Sequence, residues 1–425
     1  MHPETTERAS ALPAPSGPAR VPGPAAPAAP PGNATAPPDT GLPGRPAALI
    51  AWAARVHVPH QAAVLRIGLA FVVAAGLLRE WPHRRVLFGD RSPWSWDMAG
   101  SVLAENHAFS VLIWWDGRWW FELVYHATII VAVLLMLGWH TRGTSVLFMV
   151  GVLSIHARNP FVMDGGDNAV HLLAIYLVFV RCGAVWSLDA RRDRRYGPQA
   201  RCRRAGVAMW QLLGLLLLWV YGTRVEAWSV FFWTLWGAQG LWYAANRWFP
   251  WHRTRALLNG ATAMVHNCAM LVVAGQICLI YLTSSWYKIQ GSRWQDGTAV
   301  YYALHLDYYR PWPWLSDLLS SNMLVVFLLT YGTVLAQASF PFTLLNRRAK
   351  NIMLVLLTLE HAGIGILIGI PFMSLTIIVC DAVFLPTSFL ARVGDGCARA
   401  THKLRGSLTG AAKRPTRRKP VAAAD

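Results

Sequence analysis

The chain has 425 residues, of which 54% are hydrophobic and only 14% are charged, and its mean hydropathy is +0.33. An ordinary soluble domain is about 25% charged, so this composition excludes both a water-soluble enzyme and a disordered protein. The net charge of +18 comes from Lys and Arg in short loops and in the tail, which indicates membrane topology rather than nucleic-acid binding.

The first 48 residues are dominated by Ala, Pro and Gly, with too few aliphatic residues to bury a core. We therefore predict a disordered N-terminal tail over residues 1–55. The segment lacks the basic start and apolar run of a cleaved signal peptide, so the first membrane helix is expected to direct insertion.

Apolar stretches near 20 residues long, enough to cross ~30 Å of hydrocarbon, recur from residue 56 to residue 390. They predict an all-α, polytopic transmembrane helical bundle of about 8–10 spans, with disordered N- and C-terminal tails. The Trp-rich stretch 228–251 could instead lie along the membrane interface. The candidate spans are 62–80, 120–139, 144–162, 168–186, 206–223, 226–246, 262–286, 322–341, 351–368 and 371–390.

Basic clusters between the spans predict the orientation. Cytoplasmic loops carry an excess of Lys and Arg, which places residues 191–204, 247–255, 347–350 and 392–419 on one side of the membrane. Both termini are then cytoplasmic, and residues 391–425 form a basic cytoplasmic tail. The basic residues between 79 and 91 fall on the outer side in this arrangement.

Two polar segments, 158–168 and 286–298, emerge on the same outer face in a ten-span arrangement. If both fold back into the bundle, their acidic residues could lie near Lys288 and Arg158. Charges inside a membrane bundle are costly unless they are paired, so such a meeting would mark a functional site.

Lys288 closes the apolar stretch 272–287 and has two interpretations. It could be an interfacial Lys beside Trp286 and Tyr287, as in an aromatic belt. Alternatively, it is a buried amine, because burial favours the neutral form and yields a base usable near pH 7. Such a base could remove the proton of a phenol, whose own pKa is near ~10.

Further ionisable residues lie inside predicted spans. His171 follows Asp167 by one helical turn, so both can face the same side of a helix. Glu360 and His361 are adjacent ionisable residues in an apolar helix, and packing alone explains two such residues there poorly. Each histidine could transfer protons, bind a metal ion or hydrogen-bond a neighbouring helix. Asp381, in the last span, has no evident partner in the sequence.

Several chemistries find no support in the motifs. None of the six Cys forms a C-x-x-C pair, and no Cys/His cluster has zinc spacing, so no metal site is predicted. The sequence has no Walker A motif, no G-x-G-x-x-G after a strand, no G-x-S-x-G elbow and no H-E-x-x-H motif, which disfavours nucleotide hydrolysis, soluble nicotinamide chemistry and zinc proteolysis.

Four motifs carry a resemblance: Arg158-Asn159-Pro160 with the following Gly165-Gly166-Asp167, Ser187-Leu188-Asp189, the stretch 281–299 around Lys288, and Glu360-His361. As an ordered set they resemble the HTTM (horizontally transferred transmembrane) family. That family is related to the membrane half of vitamin K-dependent gamma-carboxylase and includes proteins similar to a bacterial toxin-maturation protein. The resemblance covers roughly residues 60–390 and implies a bacterial cell membrane protein.

The resemblance implies that Lys288 is a base acting on a reduced quinone, a vitamin K-like lipid cofactor. In the carboxylase a Trp and a Gly follow the base; Trp294 and Gly297 match them here, with one more residue between Lys288 and the Trp. Asp167 and His171 would orient the base or relay protons, and Glu360 and His361 are further catalytic candidates. The residues expected to contact the cofactor are Trp286, Trp294 and Arg158.

A second function from a different class remains open. The protein could be a non-enzymatic membrane partner in the export, maturation or immunity of a secreted peptide. A transporter is a third possibility, to which the lack of internal repeats gives no support. The lipid bilayer is the partner common to all three.

Overall fold

A computed structural model describes residues 45–196, 204–221, 227–248 and 252–412. Within these ranges the regular structure is entirely helical, as predicted. Residues 1–44 of the predicted N-terminal tail and residues 413–425 of the predicted C-terminal tail lie outside the described residues. A compact unit that begins at Ala51 holds every helix after the first.

The α-helices, in chain order, are α1 Arg45–Ala53, α2 Pro59–Glu80, α3 Arg84–Leu87, α4 Trp96–Glu105, α5 Arg118–Leu137, α6 Thr141–Arg158, α7 Gly165–Leu177, α8 Leu188–Tyr196, α9 Arg204–Tyr221, α10 Ala227–Trp248, α11 His252–Gln290, α12 Ser292–Gln295, α13 Ala299–Leu304, α14 Pro313–Ser320, α15 Met323–Thr343, α16 Arg347–Leu367, α17 Pro371–Asp381 and α18 Thr387–Ala412. Helix α1 and most of α18 occupy stretches that the sequence prediction assigned to the tails.

The helices pack in two groups that share α17. In the first group α2 packs on α5, α5 on α6 and α6 on α7; in the second, α11 packs on α15 and α15 on α16. Helix α17 contacts α16 on one side and α2 and α7 on the other. Buried aliphatic and aromatic side chains from both groups form one core. This arrangement brings the polar residues of α11, α15, α16 and α17 together.

Five helices are long and apolar enough to cross a membrane: α2, α5, α11, α15 and α16. The count rises to six if the bent pair described below is one span, so it is lower than the predicted 8–10 within the described residues. Helix α7 shows one reason. It ends at Leu177, whereas the sequence predicts a span to residue 186, because the chain then turns repeatedly through residues 178–187.

The last predicted span, 371–390, is broken rather than continuous. Residues Pro371–Phe384 and Thr387–Thr401 meet at an angle of 116°. Pro386 lies at the break; it has no N–H to donate and forces an extended backbone on Leu385 (φ −70°, ψ 144°). Gln61 of α2 holds the break in place by donating to the Leu385 carbonyl at 2.7 Å.

A buried arginine joins α2 to the end of α5 and to the turns after α7. Arg66 is 0% exposed and donates to the carbonyls of Leu135 and Met136, each at 2.6 Å. It also donates to the carbonyls of Cys182 at 3.1 Å and Trp186 at 2.7 Å. The guanidinium thus donates hydrogen bonds to four carbonyl groups. Two of them, those of Leu135 and Met136, lie in the last turn of α5, at the negative end of the helix dipole.

Candidate functional site in the helix bundle

Lys288 lies on α11, two residues before the helix ends, and is half-buried. Its Nζ donates to Ser284 Oγ, one turn earlier on the same helix, at 2.6 Å. A second hydrogen bond runs to Gln337 Oε1 of α15 at 2.8 Å. Lys288 therefore points toward a neighbouring helix, which favours the interpretation of a paired, inward-facing amine over a belt lysine.

Gln337 extends this connection to a third helix. It is 3% exposed, and its Nε2 donates to Glu360 Oε1 of α16 at 2.5 Å. The Gln337 amide thus accepts from the Lys288 amine and donates to the Glu360 carboxyl. We call Ser284, Lys288, Gln337 and Glu360 the Lys288 network. Two of its members, Lys288 and Glu360, were predicted as site residues.

The segment that follows α11 places an aromatic ring beside Lys288. Gly291 has an extended backbone (φ −82°, ψ 127°), so α11 stops there and the short α12 begins at once. Trp294 of α12 then lies beside the amine, with Lys288 Nζ 5.4 Å from the centre of its ring. At this distance the ring face attracts the ammonium form of Lys288.

The side chain of Trp286 lies on a different face of α11 from that of Lys288. Side chains two residues apart on a helix do not face each other, and Trp286 is 63% exposed. It lines an open groove of about 390 Å³ between α11 and α15. The other lining residues are Leu282, Thr283, Ser285, Ile289, Ala338 and Phe342. This apolar groove suits a lipid chain, but Lys288 does not line it.

A second polar pair lies beside the network. The Tyr281 hydroxyl is 2.9 Å and 2.8 Å from the two carboxyl oxygens of Asp381 on α17. Asp381, which has no evident partner in the sequence, therefore pairs with a residue 100 positions away. The ring of His361, which follows Glu360 on α16, lies 6.1 Å from the ring of Tyr281, measured between centres. The predicted pair Glu360-His361 thus has one member in the Lys288 network and the other beside the Tyr281–Asp381 pair.

Asp167 and His171 lie at a separate place, where α6 and α7 meet. Asp167 Oδ2 accepts from the Asp164 N–H at 3.0 Å and completes a capping box at the start of α7. His156 of α6 lies between the two predicted residues: its Nε2 is 4.0 Å from Asp167 Oδ1, and its ring centre is 6.1 Å from that of His171. In the described part of the chain, no hydrogen bond, ion pair or ring contact joins them to Lys288.

Arg158 is buried, at 5% exposed, and donates to backbone carbonyls. Its Nη1 bonds the Trp94 carbonyl at 2.9 Å, and its Nη2 the Gly89 carbonyl at 3.5 Å. These bonds hold the segment before α4 against the end of α6. The expected meeting of Arg158 with the acidic residues and Lys288 is therefore not observed among the described contacts.

Asp296 of the segment 286–298, one of the acidic residues expected near Lys288, forms local hydrogen bonds instead. The Thr298 hydroxyl and the Thr298 N–H both donate to Asp296 Oδ1, the N–H at 3.0 Å. Arg293 Nη1 lies 3.4 Å from Asp296 Oδ2. The hydrogen bond from the Thr298 hydroxyl lowers the pKa of Asp296. The ionised carboxylate therefore stabilises the turn after α12 and makes no contact with the Lys288 network.

Sequence reasoning missed Ser284, Gln337 and Tyr281. Gln337 carried a usable signal, because it is a lone amide within an apolar span. Tyr281 carried none, since a tyrosine in a membrane helix is ordinary. Across the ranges that the structure describes, no group of three or more His, Cys, Asp or Glu side chains is placed to hold a metal ion.

Comparison with known proteins adds no identification. No family model matches the chain, and no curated protein and no solved structure matches it. The resemblance to the HTTM family therefore stays a prediction from the motifs. The apolar helices establish an integral membrane protein.

Proposed function

We propose that the protein is a membrane enzyme in which Lys288 removes the proton of a phenol-type lipid, a reduced quinone. The observation that carries the proposal is the Lys288 network itself, a hydrogen-bonded chain of ionisable and amide groups across three apolar helices. Ionisable groups inside a membrane bundle are expensive, so a connected set of them favours function over packing.

The hydrogen bonds of Lys288 suit a base. A neutral amine has two N–H donors and one lone pair, and Ser284 and Gln337 supply two acceptors. Both N–H groups can therefore be donated, which leaves the lone pair to accept a proton. After transfer, the new N–H completes an ammonium group, which the face of Trp294 and the carboxyl of Glu360, reached through Gln337, stabilise.

The residues fit a reduced quinone in two respects. One lone pair on Lys288 matches one phenolic hydroxyl, and the flat ring of Trp294 offers an aromatic surface beside the amine. Lys288 would hold the hydroxyl end, with Trp294 as the wall. When bound, a reduced quinone supplies the electrons for oxygen reduction once its hydroxyl is deprotonated. Lys288 holds the proton at Nζ, and Gln337 keeps Nζ in position.

The test uses purified protein in lipid nanodiscs, supplied with menaquinol and oxygen. Quinone absorbance and oxygen consumption are followed for the wild type and for Lys288→Met, which keeps the chain length but removes the base. We expect turnover to fall by about 10²–10⁴-fold, the usual contribution of a positioned base. The matched control is Arg293→Met, a nearby cation that pairs with Asp296 outside the network.

Equal turnover in the wild type and Lys288→Met would refute the proposed base. Failure of both proteins to oxidise the quinol would remove the quinol chemistry and favour the non-enzymatic membrane partner. That alternative predicts that a secreted peptide co-purifies with the protein, and that Lys288→Met leaves the cellular phenotype intact.

A further inference from the structure

His361 is a buried histidine whose ring nitrogens form no hydrogen bond within the described part of the chain. It is 6% exposed, and among the described residues neither Nδ1 nor Nε2 has a hydrogen-bond partner. A neutral imidazole carries one N–H donor and one acceptor nitrogen, so both functions are left unpaired. Buried polar groups of this kind are usually hydrogen-bonded, and an exception points to a bound molecule.

His266 of α11 shows the ordinary arrangement in the same protein. It is 0% exposed, its Nδ1 accepts from the Arg181 N–H at 3.1 Å, and its Nε2 lies 2.7 Å from the His57 carbonyl. Both nitrogens are thus satisfied by the backbone. The contrast shows that this fold can pair a buried imidazole fully, and that the ring of His361 is left available.

The Tyr281–Asp381 pair beside His361 also has hydrogen-bonding capacity to spare. The Tyr281 hydroxyl has one hydrogen but lies within bonding distance of both Asp381 oxygens. One oxygen therefore keeps its acceptor sites, and the phenol oxygen keeps its lone pairs. Tyr281 is 1% exposed and Asp381 is 3% exposed, so bulk solvent does not satisfy them.

A third unpaired group, on α17, packs against α16 one helical turn beyond His361. Ser374 of α17 is 3% exposed, and its Oγ has no partner among the described residues. It packs against Gly365, four residues after His361, where an added Cβ would lie 3.3 Å from that Oγ. Unpaired donors and acceptors therefore line the interface of α16 and α17 beside Tyr281.

We propose that His361, Ser374 and the Tyr281–Asp381 pair bind internal water where α11, α16 and α17 meet. Water both donates and accepts, and buried water typically makes about three hydrogen bonds to polar groups that would otherwise be unpaired. The role of this water rests on the proposed function. His361 follows Glu360 of the Lys288 network on α16, so water at His361 offers a mobile proton acceptor near that network.

The test is X-ray hydroxyl-radical footprinting of the wild-type protein in nanodiscs, without any quinol. Radicals formed from internal water modify the side chains beside it. We expect His361 to be modified several-fold faster than His266. Tyr281 should likewise be modified faster than Tyr125, which is 0% exposed and donates its hydroxyl to the Leu77 carbonyl. These controls match residue type and burial.

Modification of His361 and Tyr281 no faster than of His266 and Tyr125 would overturn the water site. Because footprinting needs no turnover, the two proposals fail separately. A modified His361 without quinol oxidation keeps the water site and removes the proposed function. Lys288-dependent oxidation with His361 as protected as His266 does the reverse.

Discussion

Replacing each of the two buried histidines by leucine should have different effects on stability. His266→Leu leaves the Arg181 N–H and the His57 carbonyl without a partner inside the bundle. Each orphaned buried group costs about 1–3 kcal/mol, so we expect a loss of about 2–6 kcal/mol in the free energy of unfolding.

His361→Leu orphans no protein group, because the partners proposed for its ring nitrogens are water molecules. An apolar side chain of similar size gives up those bonds to water but leaves no protein donor or acceptor newly unpaired, so we expect a change of no more than about 1 kcal/mol in the free energy of unfolding. The loss for His266→Leu should thus exceed that for His361→Leu by about 1 kcal/mol or more, although both variants remove a buried imidazole.

The assay is reversible unfolding in mixed micelles with increasing dodecyl sulfate, followed by tryptophan fluorescence, since the chain has 22 Trp. Wild type and both variants are compared at one lipid-to-detergent ratio. Losses that agree within about 0.5 kcal/mol would refute the reasoning, because the hydrogen-bond partners would then not decide the cost. In the quinol assay, His361→Leu should also turn over more slowly than the wild type.

Two further substitutions test how the fold is held together. Arg66→Met leaves four carbonyls unpaired and, at about 1–3 kcal/mol for each orphaned buried group, should cost about 4 kcal/mol or more in the same unfolding assay. Arg66→Lys, which keeps three donors, should cost less, and equal losses would contradict the role of the guanidinium. Gly138→Ala should cost about 2 kcal/mol or more, because Gly138 has φ +73° and an added Cβ would lie 2.3 Å from the Cβ of Ser187. The control Gly275→Ala meets nothing within 4 Å and should lower the thermal midpoint by no measurable amount.

The long apolar helices were predictable because their signal is local. The predicted spans 62–80, 120–139, 322–341 and 351–368 have ends within four residues of those of α2, α5, α15 and α16. Lipid and core both demand apolar side chains over about 20 residues, and that demand is written in consecutive positions. Helix α11 is longer than predicted, since its first ten residues are too polar to be recognised as part of a span.

Breaks and buried charges were harder to predict. Pro386 gave a local signal for the break between α17 and α18, but the apolar run 371–390 outweighed it. Arg66 lies in the first predicted span, where hydropathy tolerates one charge, and its four carbonyl partners come from the end of α5 and the turns after α7. An arginine whose partners are backbone carbonyls from distant parts of the chain leaves no pattern in the sequence.

The sequence by itself determined the class of the protein, an all-helical membrane bundle, and singled out Lys288, Glu360 and His361 as ionisable residues that such a bundle must accommodate. Only the tertiary structure decided which polar groups meet. Gln337 joins Lys288 across 49 positions, Tyr281 joins Asp381 across 100, and Asp167 and His171 lie apart from both. The physical reason is that hydropathy is a property of neighbouring residues, whereas a buried hydrogen bond depends on how distant helices pack.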